Sequence, residues 1–99
     1  MGLDEVIAKL VEIHREYQIG GGLDDADRVT PHICPLADLK EFESDFIPEI
    51  VRRLARELGQ PLPKGVRVKN IYVDKGRKLT IREIARKFIE KYAPKGCRV

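Results

Sequence analysis

The sequence predicts an all-α fold, a small three- to four-helix bundle forming a single domain over residues 1–99. Three observations carry this reading. Apolar residues recur at spacings of three and four in three separated stretches, those stretches are flanked by capping and stop residues, and the segments between them hold the glycines and prolines. With 42% hydrophobic and 35% charged residues, the chain has enough apolar area to offset the entropy of folding while keeping a charged surface.

The first helix is read from "LDEVIAKLVEIHREY", residues 3–17, where Leu3, Val6, Ile7, Leu10, Val11 and Tyr17 share one stripe and Glu5, Lys9, Glu12 and Glu16 lie elsewhere. "GGGLDDADRVTPHICP" then breaks the pattern with three glycines, acids and two prolines, which predicts a long surface loop. The stripe resumes at Ile47 and runs through Ile50, Val51, Leu54, Ala55 and Leu58, with Gly59 and Pro61 as its stop. On the exposed face of this second helix fall Glu49, Arg52, Arg53, Arg56 and Glu57, and Glu49 to Arg53 is the favourable acid-before-base pair at i,i+4. "KGVRVKNIYVDKGRK" alternates Val66, Val68, Ile71 and Val73, so an irregular or extended segment or short strands are predicted before the last helix. That helix is read from "LTIREIARKFIEKY": Thr80 and Glu83 form a capping box, and Ile81, Ile84, Ala85, Phe88, Ile89 and Tyr92 form the stripe.

Charge is lopsided along the chain. Residues 1–43 hold ten acids against four bases, and residues 44–99 hold six against fifteen. Such asymmetry steers charged partners, and it is equally compatible with solvated helix faces. No apolar run is long enough to enter a membrane, and acids near the start argue against a secretory leader. Two cysteines, Cys34 and Cys97, make no disulfide framework, so a cytoplasmic monomer is the expectation. His32 with Cys34 has no structural zinc spacing, and His14 stands without a nucleophile or orienting group at recognisable spacing; no catalytic or metal-binding residue is expected.

Ser44 lies between two acids in "LKEFESDFIPEIVRRL". A serine there is a good helix cap. Pro48 argues against that use, because a cap at Ser44 would put proline at the fourth helical position, where its missing N–H and its ring are costly. Either the helix starts near Pro48 or its first turn is irregular. A serine at a helix mouth faces the positive end of the dipole, which would stabilise an attached phosphodiester. Glu43 and Asp45 oppose it unless a Mg²⁺ ion or a partner's cations intervene.

The stretch "TPHICPLADLKEFESDFIPEIVRRLARELGQPLP" resembles the central part of acyl carrier proteins, with a Leu-x-Asp-Leu element, an acid followed by a serine, an amphipathic helix and a Pro-containing turn. The first and last helices occupy the places of that family's outer helices, so the likeness spans nearly the whole chain. It implies a non-enzymatic carrier, in which 4′-phosphopantetheine from coenzyme A is attached to Ser44 and holds an acyl or aminoacyl group as a thioester, serving a specialised biosynthetic pathway. Its implied partners are a phosphopantetheinyl transferase, a loading ligase and an acyltransferase. The family's usual Asp-Ser-Leu is here Glu43, Ser44 and Asp45, and its usual acidic second helix shows Arg52, Arg53 and Arg56. The resemblance therefore implies a divergent, basic member whose partners dock through acidic surfaces. Ile47, Val51 and Ile71 are candidates to shelter a short cargo, although core packing, the preferred account, explains the same residues without any cargo.

The alternative class is a small basic helical module that binds nucleic acid or another protein. "LTIREIARKF" reads like the first helix of a helix-turn-helix, yet only "APKGCRV" follows Tyr92, too little for a recognition helix. Lys87, Lys91, Lys95 and Arg98 remain as nonspecific phosphate contacts.

Overall fold

In the computed structural model of the chain, which describes residues 2–63, 65 and 67–92, the element order is α1 (Leu3–Gly20), α2 (Pro35–Asp38), α3 (Ile47–Glu57), β1 (Val73–Asp74), β2 (Arg77–Lys78) and α4 (Ile81–Tyr92). One-turn 3₁₀ segments precede α2 and α3, at Ala26–Arg28 and Ser44–Phe46. The molecule is a small, mostly helical globule, as the apolar periodicity requires.

Helix α1 is central and packs on both α4 and α3. Its buried face starts apolar, with Val6, Ile7, Leu10 and Ile13, and continues at helical spacing with two polar residues, His14 and Gln18. Leu3, Val11 and Tyr17, which the stripe places inward, are only half-buried. The helix runs three residues past Tyr17 and ends in paired bonds: the Leu23 amide donates to the Gln18 carbonyl and the Gly22 amide to the Ile19 carbonyl. Helix α3 closes the same way, the Gln60 amide donating to Ala55 and the Gly59 amide to Arg56, with Gly59 at φ +78° where a side chain would be strained.

The predicted capping box is present at α4. The Glu83 amide donates to Thr80 Oγ1 at 3.2 Å, and the Thr80 amide donates to Glu83 Oε1 at 2.9 Å. The next orphan amides are satisfied from the first loop: Ile81 donates to the Ile33 carbonyl and Arg82 to that of Pro31, each at 3.0 Å.

One expectation is corrected and one is met. The 20–35 segment is more than a surface loop, since Asp25, Val29 and Pro35 are buried in it and α2 starts at its end, with the Cys34 amide bonded to the Asp38 carboxylate. Before α4 short strands form as expected, at 73–74 and 77–78 towards the end of that stretch; Val66 itself lies outside the described residues. The reason is the turn: Lys75 (φ +50°) and Gly76 (φ +79°) are both left-handed, the geometry that closes a two-residue hairpin. The hairpin pairs Val73 with Lys78 and Asp74 with Arg77.

The core gathers Val6, Leu10 and Ile13 of α1, Ile50, Val51 and Leu54 of α3, Ile81, Ile84 and Phe88 of α4, and Tyr72 from the segment between them. Ile47, Val51 and Ile71 all belong to it at 1% exposure, so packing accounts for them.

Candidate functional site

The segment leading to Ser44 is held by a buried polar clamp. Gln18 Nε2 donates to Asp25 Oδ1 at 2.8 Å and to the Lys40 carbonyl at 2.9 Å, while the Lys40 amide donates to Asp25 Oδ2 at 2.7 Å. These amide donors hold the Asp25 carboxyl below the usual carboxylate range, the Lys40 amide most of all. With both backbone groups of Lys40 engaged, the chain is forced through a left-handed residue at Glu41 (φ +54°), an unfavourable conformation that only well-fixed neighbours sustain.

That bend drives Phe42 into the core. Its ring stacks on Tyr72 with centroids 5.9 Å apart and meets His14 edge-on at 5.0 Å. Behind it His14 is fully buried, its Nε2 2.7 Å from the Tyr72 hydroxyl, and its Nδ1 has no partner among the described residues. Burial lowers the His14 pKa to about 4. Tyr72, equally buried, is pushed up by the same cause.

After Phe42 the chain is extended at Glu43 and turns into the 3₁₀ segment Ser44–Phe46, where the Phe46 amide donates to the Glu43 carbonyl and the Ile47 amide to that of Ser44. Helix α3 begins at Ile47, so Pro48 sits in its first turn, where the missing N–H leaves no carbonyl orphaned. Both alternatives about Pro48 are thus combined: the helix starts beside it, and an irregular turn precedes it. Ser44 is not the α-helical cap. Its side chain is exposed and makes no hydrogen bond with any described residue, and Glu43 and Asp45 are exposed beside it. The same proline removes one amide that would otherwise serve an anion at this helix end, so the positive pole near Ser44 is weaker than usual.

The basic face of α3 is only partly available. Arg53 does not pair with Glu49 in the predicted way; it is half-buried and ion-paired with Glu16 of α1 and Glu57 of its own helix. Lys9 adds a second cation to Glu57 at 3.7 Å. Arg52 is half-buried and Arg56 exposed. Around Ser44 the charge is the opposite: Glu41, Glu43, Asp45 and Glu49 are all exposed.

Beside the Ser44 turn lies a groove of about 600 Å³, walled by the last turns of α1, the Glu41–Phe42 bend and the start of α3. Tyr17, Phe42 and Phe46 supply its rings: Tyr17 and Phe46 meet at 63° with centroids 6.2 Å apart, and Phe42 and Phe46 at 35° and 6.1 Å. Phe46 is 38% exposed, so part of its ring is open to solvent. The groove had a readable signal in the two phenylalanines four apart around Ser44 in "FESDF", which the helical stripes left unassigned.

Among the described residues no cluster of His, Cys, Asp and Glu is arranged to hold a metal ion. His32 is exposed; Cys34 is half-buried, with its Sγ 3.7 Å from the Lys78 carbonyl and its thiol pushed up by burial. Cys97, Lys95 and Arg98 lie outside the described residues. No described helix is long and apolar enough to cross a membrane. Compared with protein-family models, curated proteins and solved structures, the chain matches none.

Proposed function

We propose that this chain is a carrier protein whose Ser44 hydroxyl receives 4′-phosphopantetheine and whose arm then holds an acyl or aminoacyl group as a thioester for a dedicated pathway. The observation that supports it is the exposed Ser44, whose hydroxyl bonds to no described residue, on a turn clamped from behind by Gln18, Asp25 and Lys40. An exposed serine on a fixed turn can enter a transferase active site without local unfolding.

In the transfer, Ser44 Oγ would attack the phosphorus of coenzyme A that bears the pantetheine arm. A new P–O bond forms, the pyrophosphate bond breaks, and 3′,5′-adenosine diphosphate leaves. The serine proton passes to a base of the transferase, because no described histidine or lysine is bonded to Ser44 and a lone serine is a weak nucleophile. Mg²⁺ carried by that enzyme would screen Glu43 and Asp45 from the incoming phosphates. The chain itself presents the hydroxyl and catalyses nothing.

Docking surfaces follow from charge. The four exposed acids around Ser44 call for cations on the transferase, loading ligase and acyltransferase at the attachment point. Arg56, about 14 Å along α3 from Ile47 by helical rise, calls for acids farther out, with Arg52 on the way. Arg53 is committed within the chain and drops out of the docking set.

Incubation with coenzyme A, Mg²⁺ and a broad-specificity phosphopantetheinyl transferase, followed by intact mass measurement, tests the proposal. One phosphopantetheine is gained by the wild type and none by Ser44→Ala. If no transferase adds the group, or if it is added equally to Ser44→Ala, the carrier reading fails.

A further inference from the structure

The groove next to Ser44 combines two features seldom found in a site for a plain hydrocarbon chain. Its walls are aromatic, from Tyr17, Phe42 and Phe46, and among the described residues its lining acids are Glu16, Glu41 and Glu49, against one cation, Arg53. That cation is already neutralised, by Glu16 within the groove and by Glu57 outside it. Glu41 and Glu49 therefore leave the groove negative. The Tyr17 phenol is shifted up by its partial burial and by the Glu49 carboxylate beside it, so ring and acid face the same space.

Aromatic rings present negative faces, and carboxylates behind them add full charge; together they favour an organic cation over a neutral apolar group. A fatty chain would strip water from the acids with nothing in return. A bare metal ion would lack an oxygen cage, since the described residues offer no such cluster. A volume of about 600 Å³ lies in the range of small-molecule sites.

The Glu41 backbone supports a built site rather than an accidental dent. Its left-handed conformation is maintained by two hydrogen bonds on the backbone of the preceding residue, from Gln18 to the Lys40 carbonyl and from the Lys40 amide to Asp25, with Gln18 and Asp25 bonded to each other, and Glu41 lines the groove.

We infer that the groove walled by Tyr17, Phe42 and Phe46 and lined by Glu41 and Glu49 binds an organic ammonium group, and, resting on the carrier reading above, that it receives the amino end of an aminoacyl cargo. Phe46, two residues beyond Ser44, forms the lip by which a group attached at Ser44 enters. The cargo class is thereby narrowed from acyl in general to aminoacyl.

The test uses the unmodified full chain, so that it does not depend on Ser44 chemistry. Choline and its neutral isostere 3,3-dimethylbutan-1-ol are titrated separately while amide and aromatic-ring resonances are followed by NMR. Choline should give saturable shifts at Tyr17, Phe42, Phe46 and Glu49, with an affinity at least about tenfold above that of the isostere. Glu49→Gln should weaken choline binding several-fold, Arg53→Gln should tighten it, and Ser44→Ala should leave it unchanged. Equal affinity for the two probes, or no saturable shift in these rings, overturns the ammonium site. A chain that binds choline yet gains no phosphopantetheine keeps the site and loses the carrier.

Discussion

The buried, neutral His14 should make this protein progressively less stable as pH falls from 6.5 to 4. Burial lowers its pKa to about 4 in the fold, whereas the unfolded side chain titrates near 6.5. A group with a depressed folded value binds its proton more readily when unfolded, so the stabilisation is complete above the unfolded pKa and is lost as pH falls toward the folded one. Each pH unit in that window is worth about 1.4 kcal/mol, giving a loss of about 2 kcal/mol by pH 5 and about 3 kcal/mol by pH 4. Against the 5–15 kcal/mol typical of small domains, that is a large share. The hydrogen-bond arrangement explains why no partner rescues the cation. With the Tyr72 O–H donating to Nε2, only the Nδ1–H is left unpaired, whereas the reverse direction would orphan both the tyrosine proton and the Nδ1 lone pair. A second proton must then reverse the Tyr72 bond inside a dry aromatic cage. Urea titrations at half-unit pH steps, comparing wild type with His14→Phe/Tyr72→Phe, isolate the effect, because the double variant keeps two rings and orphans no polar group. The depressed carboxylates Asp25, Glu57 and Glu83 lose their contribution only at lower pH, from unfolded values of 3.8 and 4.5 downward. Equal slopes of stability against pH for the two proteins between 6.5 and 5 would refute the reasoning, as would an NMR titration placing His14 near 6.5.

Three further perturbations probe the elements that position the site. Replacing Asp25 by alanine leaves one Gln18 N–H and the Lys40 N–H without their acceptor, the other Gln18 N–H keeping the Lys40 carbonyl, and should lower stability by about 1–3 kcal/mol; faster hydrogen exchange at the Lys40 amide would locate the loss in the clamp. Thr80→Ala removes the side-chain acceptor for the Glu83 amide and should cost about 1 kcal/mol, read as a shift of the urea midpoint with an unchanged slope. For Gly76→Ala an added Cβ meets nothing within 4 Å, so the loss of about 1 kcal/mol comes from the φ of +79° alone, and a neutral or stabilising result in thermal melts would contradict the hairpin geometry.

Much of the architecture is legible in local patterns. The stripe from Ile47 to Leu58, the Gly59 stop and the Thr80–Glu83 capping box are relations among residues at most four apart, decided by helical period and by orphan amides that must be satisfied nearby. The exposed Ser44 was half-legible: Pro48 ruled out a regular helix through it, while the combination of a 3₁₀ turn and a helix start depends on how Phe42 and Ile47 reach the core. Distance in the chain hides the rest. His14 and Tyr72 are 58 residues apart, and nothing local marks a helix-borne histidine as buried rather than exposed. Gln18, Asp25 and Lys40 read as ordinary polar surface until the fold brings them together, and the pairing of Arg53 with Glu16 instead of Glu49 was hidden because Glu16 belongs to another helix. Periodicity therefore determined which residues form helices and where those helices end, because hydrogen bonding within a helix is local. Only the packed structure decided which polar residues are buried, which charges are cancelled and where a groove opens, because desolvation and Coulomb energy depend on neighbours in space.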